Sequence, residues 1–371
     1  MKYYIIAGEV SGDLHGANLM QALREKDPLS DFRFWGGDRM SAIAGQPVKH
    51  IKDLAFMGFW EVITHLRIIL NNMKFCKKDI LNFRPDVVIF IDYPGFNLPI
   101  SAFCHRHGIK NFYYIAPQVW AWKKNRIHSM RKHIDELFVI LPFEKEFFAR
   151  HGIRVHYSGH PLLDEIAART EYFNDENFRK NNGLPMNKSI VALLPGSRIQ
   201  EIKKMLPIQI KIAKRYPDLC FVIAGVSHFT SDFYNKLTGG DVPIVYNQTY
   251  DLLHAASTAM VTSGTATLET ALFNVPEVVC YKANPISYRI ARHVAKIKYI
   301  SLVNLIMNKP VVKELIQNDL NPQKLEKEFH RLHNDESYRK SLQQEYSTLQ
   351  ILLGKSGVSQ RISDTIIQCL S

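Results

Sequence analysis

Short apolar runs alternate with amphipathic stretches along the whole chain. In the first half the runs fall at residues 3–8, 32–36, 86–92, 111–115, 137–141 and 154–158. Val87 to Ile91 is unbroken, as expected of a central parallel strand buried on both faces. After the first run, Ala17, Leu19, Met20 and Leu23 recur at helical spacing. A polar stretch, "DEIAARTEYFNDENFRKNNGLPMNKS", then interrupts the pattern with Gly183 and Pro185. The alternation restarts at "SIVALLPGSR" and continues at 220–226, 243–246, 258–262 and 277–281. The tail from Asn321 reads as helical and basic. Strand–helix alternation repeated twice predicts an α/β chain with two Rossmann-like, doubly wound parallel sheets. The expected boundaries are 1–165, a linker at 166–187, and 188–345. In such sheets ligands bind beyond the carboxyl ends of strands. The chemistry should therefore lie in loops that directly follow strands, facing a cleft between the domains.

Composition narrows the class. The 371 residues are 46% apolar, enough for two packed cores, and no fixed-period repeat is visible. Five scattered cysteines form no C-x-x-C pair, which argues against a disulfide framework or a zinc motif and for a reducing compartment. No metal-ligating spacing is evident, and neither a metal nor a cofactor is expected. Met1 runs straight into a strand, so no signal peptide is expected. No apolar run approaches the ~20 residues of a spanning helix. The net charge of +12 suits an anionic partner: nucleic acid, lipid headgroups or an anionic substrate.

Several post-strand loops carry candidate chemistry. "IAGEVSGDLHGANL" places Glu9, Ser11 and Asp13 among Gly8, Gly12 and Gly16. Carboxylates accept from hydroxyl groups, so this turn suits a sugar better than a phosphate. Asp13 could equally cap the following helix. "LLPGSRIQE" offers Gly196 and Ser197 amides at a helix start, with the Arg198 fork of donors beside them, an arrangement suited to a diphosphate. "VTSGTATLE" repeats the theme with Ser263, Gly264 and Thr265, while Glu269 one turn later can accept ribose hydroxyls. Asp92 ends the buried run at 87–91, and a partly desolvated carboxylate there can serve as a general base. His160, in "SGHPLLD", is a cleft histidine or a structural turn residue. Trp120 and Trp122 precede a basic helix that keeps an RNA-binding alternative open. The stripe Trp60, Val62, Ile63, Leu66, Ile69 and Leu70, with Arg67, Lys74, Lys77 and Lys78 among and after it, fits either core packing or a membrane interface.

Taken together, the segments "AGEVSGDLHG", "AFMGFWEV", "FIDYPGFN", "APQVWAW", "LPFEKEFF", "LLPGSR", "SGTATLE" and "SLVNLIMNKPVVKELIQ" resemble the lipid-A-disaccharide synthases. They run in family order over essentially the whole chain. The resemblance implies a GT-B fold, with residues 346–371 as a C-terminal helix crossing back to the first domain. It implies an inverting glycosyltransferase of lipopolysaccharide synthesis. The donor would be UDP-2,3-diacylglucosamine and the acceptor 2,3-diacylglucosamine 1-phosphate, giving a β-1′,6-linked disaccharide 1-phosphate and UDP. By the same resemblance Asp92 is the base, Arg198 stabilises the leaving diphosphate, and Asn304 is a sugar-binding residue. The stripe becomes a membrane and acyl-chain contact on the cytoplasmic face of the inner membrane. Nucleic acid is then not a partner, and a C-terminally swapped homodimer is a family state. One departure stands out: Gly95 replaces a second aspartate of the family pattern. The competing readings are another UDP-sugar transferase or a UDP-N-acetylglucosamine epimerase on the same architecture, and a non-catalytic RNA- or membrane-binding protein.

Overall fold

The structure is a computed structural model. It describes residues 1–54, 66–121, 125–170, 173–240, 242–284, 288 and 298–371. Trp60, Val62 and Ile63 of the apolar stripe, and Trp122, lie outside the described residues. The chain divides into two units, one made of residues 1–164 and 354–371 and the other of 165–353.

The first unit is built on β1 (Lys2–Ala7), β2 (Asp31–Gly36), β3 (Lys49–His50), β4 (Val87–Ile91), β5 (Asn111–Tyr114), β6 (Glu136–Val139) and β7 (His156–Tyr157). They form one parallel sheet in the order β3-β2-β1-β4-β5-β6-β7. Both faces are covered. Tyr3, Ile5, Val87 and Ile89 join one apolar cluster, while Tyr4, Ile6, Val88 and Phe90 join the other. This explains why β4 reads as continuously apolar rather than alternating. The C-terminal helix Val358–Leu370 packs Val358, Ile362 and Ile366 into the first cluster. Its amino end is held by one carboxylate. Asp164 accepts from the backbone N–H groups of Gly357, Val358 and Ser359 at 2.7–2.9 Å, and from the Ser359 hydroxyl. A negative charge at a helix amino terminus is favourable both as a cap and against the helix dipole.

The second unit contains β8 (Ile190–Leu194), β9 (Cys220–Gly225), β10 (Ile244–Tyr246), β11 (Ala256–Thr262), β12 (Glu277–Tyr281) and β13 (Lys313–Ile316). These are again all parallel, in the order β10-β9-β8-β11-β12-β13. β13 was not anticipated; it is a short edge strand opening on an exposed lysine. The expected linker at 166–187 is a correction. It contains the helix Asp175–Asn181 and sends Phe178 and Leu184 into the core of the second unit. Buried Arg179 closes the segment by donating to Asp175 and to the carbonyls of Pro185 and Lys188. Its polar composition reflects the outer face of the helix, with the apolar residues spaced inward. Residues 346–353 likewise belong to the second unit.

In each unit the strand order reverses at one place, between β1 and β4 and between β8 and β11. Chain leaving these neighbouring strands turns to opposite faces, which opens a crevice at their carboxyl ends.

One buried group weakens the second unit. Glu277 is fully buried at the start of β12, and among the described residues neither carboxyl oxygen has a hydrogen-bond partner. Burial pushes its pKa well above the usual carboxylate range. The folded form therefore keeps a proton that the unfolded chain loses above roughly pH 4.3. Stability falls as pH rises through and beyond that value. Replacing Glu277 by Gln should raise Tm at pH 8 by about 2–4 °C, the shift that about 1 kcal/mol gives a domain of this size. The gain should shrink toward pH 4; thermal unfolding of both proteins across this range checks it.

Candidate active site

The crevice of the first unit is shaped by two consecutive left-handed residues. Asp92 (φ 44°) and Tyr93 (φ 50°) follow β4. This unfavourable backbone is held because the Asp92 carbonyl accepts from Tyr113 Oη at 2.6 Å and Asn97 Nδ2 at 2.8 Å. The Tyr93 ring stacks on Phe96 with centroids 5.5 Å apart. It also lies over Gly8, where a Cβ would sit 2.4 Å from the ring. Asp92 is thereby fixed near Glu9 of the β1 turn. Burial first, and then the Glu9 charge, raise the Asp92 pKa to about 6. Glu9 and Ser11 are exposed.

The remainder of that motif does something other than expected. Residues 10–16 are not an open loop, because the helix begins at Val10. Gly12 and Gly16 lie inside it and permit close packing: a Cβ would sit 3.2 Å from the Ala7 Cβ at the first and 2.6 Å from Met40 Sδ at the second. Asp13 is buried and accepts from the N–H groups of Gly37, Arg39 and Met40 at 2.6–3.1 Å. It caps the helix Asp38–Ala44, not its own helix, and both of its oxygens are engaged by these amides. His160 is also structural. It is buried beside His15, and burial lowers the two pKa values to about 3 and about 4. Glu144 of "LPFEKEFF" accepts from Trp120 Nε1 and from the amides of Ile140 and Leu141.

The second unit opens a cavity of about 1360 Å³ at the carboxyl ends of its strands. Arg198, Gly264, Thr265 and Glu269 line it, as do Asn247 and Gln317, which sequence reasoning missed. Asn247 and Gln317 both have positive φ, a feature invisible in residue type alone. The "PGSR" turn is closed by its own helix. Glu201 accepts from the amides of Ser197 and Arg198 at 3.2–3.3 Å, so the Ser197 N–H, expected to be open to a phosphate together with that of Gly196, is engaged within the turn. Gly196 is required there: it has φ 104°, and a Cβ would meet Glu201 Oε2 at 2.6 Å. The Arg198 side chain, two-thirds exposed, remains the cationic group of this turn and reaches within 3.9 Å of Glu201.

Ser263 is likewise committed. Its N–H donates to the Cys280 carbonyl at 3.1 Å and its hydroxyl to the Ile300 carbonyl at 2.9 Å. It shapes the turn and has no hydrogen left for a phosphate. Gly264 and Thr265 are exposed at the amino end of the helix Thr265–Leu272, where the first N–H groups lack intrahelical partners. Glu269 is raised to about pKa 7 by burial, with the Tyr250 hydroxyl bonded to it and Glu165 adding repulsion. Asn304 is a correction. It is buried, donates to Val312 O and Glu314, and accepts from Val312 N, all at 2.9 Å. Its amide staples the helix Leu302–Met307 to the approach to β13 and is not presented to a sugar.

The apolar stripe splits. On the helix Leu66–Phe83 the inner face is anchored by Cys76, Ile80 and Asp79, the last accepting two bonds from Arg33 and one from Tyr4. Leu66 and Leu70 are more than half exposed, and Ile68 and Phe75 nearly so, while Ile69 is partly buried. Core packing therefore accounts for Cys76, Asp79 and Ile80 and not for Leu66 or Leu70. Among the described residues no helix is long and apolar enough to cross a membrane.

Comparison with known proteins bears on this arrangement. A family model described as lipid-A-disaccharide synthetase matches residues 3–366. The chain belongs to this family. It is 39% identical over 365 residues to the lipid-A-disaccharide synthase of Syntrophus aciditrophicus, covering 96% of this chain and 94% of that protein. It is 34% identical to that of Geobacter sulfurreducens, covering 99% and 96%. Among solved structures it resembles a UDP-GlcNAc 2-epimerase from Neisseria meningitidis bound to UDP-GlcNAc, with TM-score 0.71, 14% identity and coverage of 99% and 100%. A UDP co-structure of S. aureus MnaA gives TM-score 0.68 at 13% identity, covering 100% and 96%. At these identities the likeness concerns the fold alone, which is of the GT-B class. Family membership makes the chain a glycosyltransferase of lipid A biosynthesis.

Proposed function

We propose that this family member transfers 2,3-diacylglucosamine from UDP-2,3-diacylglucosamine to the 6-hydroxyl of 2,3-diacylglucosamine 1-phosphate, with inversion. The observation that carries the residue assignment is Asp92. It is a carboxylate at the strand reversal of the first unit, raised to about pKa 6 and held by a strained backbone. As base it takes the proton of the acceptor hydroxyl while that oxygen bonds to the anomeric carbon. The bond from that carbon to the diphosphate breaks, and UDP departs with the electron pair. The second unit binds the donor. Arg198 and the amino end of the helix Thr265–Leu272 meet the diphosphate charge, and Glu269 accepts the ribose hydroxyls. Gly196 supplies the turn that aims Arg198. Glu9 and Ser11 accept from sugar hydroxyls.

A pKa near 6 makes Asp92 ionised, and able to act as a base, at neutral pH. Activity should rise with pH through about 6. Asp92→Asn should keep Tm and UDP affinity while lowering kcat by roughly 10²–10⁴-fold. Product formation by the purified variant across pH 5–9 measures both.

Glu269 predicts a second pH dependence. An ionised carboxylate accepts both ribose hydroxyls, whereas the protonated form offers a poorer acceptor. UDP-sugar affinity should therefore strengthen as pH rises through about 7. A UDP-sugar is the right probe because its diphosphate has no ionisation near neutrality. Calorimetry from pH 6 to 8 should show this slope, and Glu269→Gln should flatten it.

The exposed first turns of the helix Leu66–Phe83 carry Arg67, with Lys74, Lys77 and Lys78 further along. We assign them to the cytoplasmic face of the inner membrane, where apolar residues enter the interface and each nearby cation adds about 1 kcal/mol on anionic lipid. Leu66→Ser with Leu70→Ser should reduce co-sedimentation with anionic vesicles several-fold and leave Tm within about 2 °C, since surface changes alter stability by ~0.5 kcal/mol or less.

A further inference from the structure

The first unit holds a cluster of ligand-type side chains that the transferase chemistry does not use. Glu136 is the first residue of β6, His156 the first of β7, and Cys369 lies in the last turn of the C-terminal helix. The cluster is therefore at the amino-terminal edge of a parallel sheet, opposite the edge that carries Asp92. One donor atom from each residue lies within 4.8 Å of the other two. Glu136 Oε2 and His156 Nε2 are 2.7 Å apart, and the two side chains are 29% and 17% exposed. The His156 ring is fixed by stacking on Phe138, with centroids 4.9 Å apart. The helix end is brought to it by Lys110, whose Nζ donates to the Cys369 carbonyl at 3.0 Å.

We propose that Glu136, His156 and Cys369 form a site for a divalent cation of the zinc class, with water as the fourth ligand, fastening the end of the C-terminal helix to β6 and β7. The donor set is one imidazole nitrogen, one carboxylate oxygen and one sulfur, the mixture that borderline metals prefer over magnesium or calcium. Ligands about 2.0–2.1 Å from a tetrahedral ion lie about 3.3 Å from one another. The Glu136–His156 pair must open by roughly half an ångström to admit it, within reach of side-chain torsions. On binding, the ion replaces the hydrogen bonds of the cluster. The Cys369 thiol releases its proton to solvent and binds as thiolate, His156 offers the Nε2 lone pair with its proton on Nδ1, and Glu136 binds as carboxylate. Thiolate and carboxylate together neutralise the dication. Burial and Glu136 hold the free thiol above its ordinary pKa, while Arg154 and Lys110 favour the thiolate. These two cations also oppose a bare ion, so occupancy depends on the thiolate forming. Asp164 clamps the beginning of the same helix, and this site would clamp its end.

The test uses full-length protein without a histidine tag, stripped by chelator and titrated with Co²⁺ alone. One equivalent should produce visible bands of tetrahedral intensity and a near-ultraviolet thiolate-to-cobalt charge-transfer band, both removed by Zn²⁺. Zn²⁺ should also raise Tm. Cys369→Ser, nearly isosteric and at the helix end, should abolish the charge-transfer band and weaken Zn²⁺ by more than about 100-fold. His156→Ala should do the same. Absence of the band in the unaltered protein overturns the proposal. So does a band that persists in Cys369→Ser, since another cysteine would then be the ligand.

Discussion

The contact of the Tyr93 ring with the bare Cα of Gly8 governs the chemistry of the first unit. Any side chain at position 8 would occupy the ring's place. With the ring seated, two left-handed residues after β4 become affordable, and Tyr113 and Asn97 hold the carbonyl between them. The consequence is electrostatic. Asp92 stands partly out of water, near Glu9, with its affinity for protons raised toward neutrality. A carboxylate in an ordinary turn would be a weaker base. Backbone strain is retained here because the packing over-determines it.

The second unit meets a different requirement. A site for an anion needs donors that are not already satisfied, yet the loops that form it must themselves be stable. Glu201, Ser263, Asn304 and Glu314 spend their hydrogen bonds on the loops. Glu314, for example, accepts from the amides of Ile300 and Ser301 as well as from Asn304. With the loops stabilised in this way, Arg198, Lys298 and the exposed amino end at 264–265 line the cavity as cationic and donor groups. Preorganised donors of this kind stabilise developing charge without reorganising at the moment of reaction.

The C-terminal helix returns to the first unit although its sequence follows the second. Its apolar face completes the cluster around Ile89 and Phe112. A single carboxylate, Asp164, collects four hydrogen bonds from its first turn. The chain crosses between the units at 164–165 and again at 353–354. Asp164, the last residue of the first unit before the first crossing, thus grips the segment that follows the second.

The sequence by itself determined the alternation of strands and helices, the two parallel sheets and the loops that follow the strands. Apolar periodicity and continuous buried runs are local signals, and burial on both faces leaves a plain mark on composition. The positions of Asp92 directly after a strand, of Arg198 in the turn after β8 and of Glu269 in the helix that follows β11 were legible for the same reason. Tertiary structure alone decided what each polar side chain does. Asp13 finds amides 24 to 27 positions away, and Asn304 is consumed eight to ten positions on, because a buried polar group takes the partner that packing supplies. Gly12 and Gly16 read as loop glycines and are packing glycines within a helix, a distinction set by Ala7 and Met40. The polar stretch at 166–187 hid two core residues, and β13 was too short and too exposed at its start to stand out. Glu136, His156 and Cys369 share no spacing at all; they meet because two strand beginnings and a returning helix end occupy one edge of the same sheet.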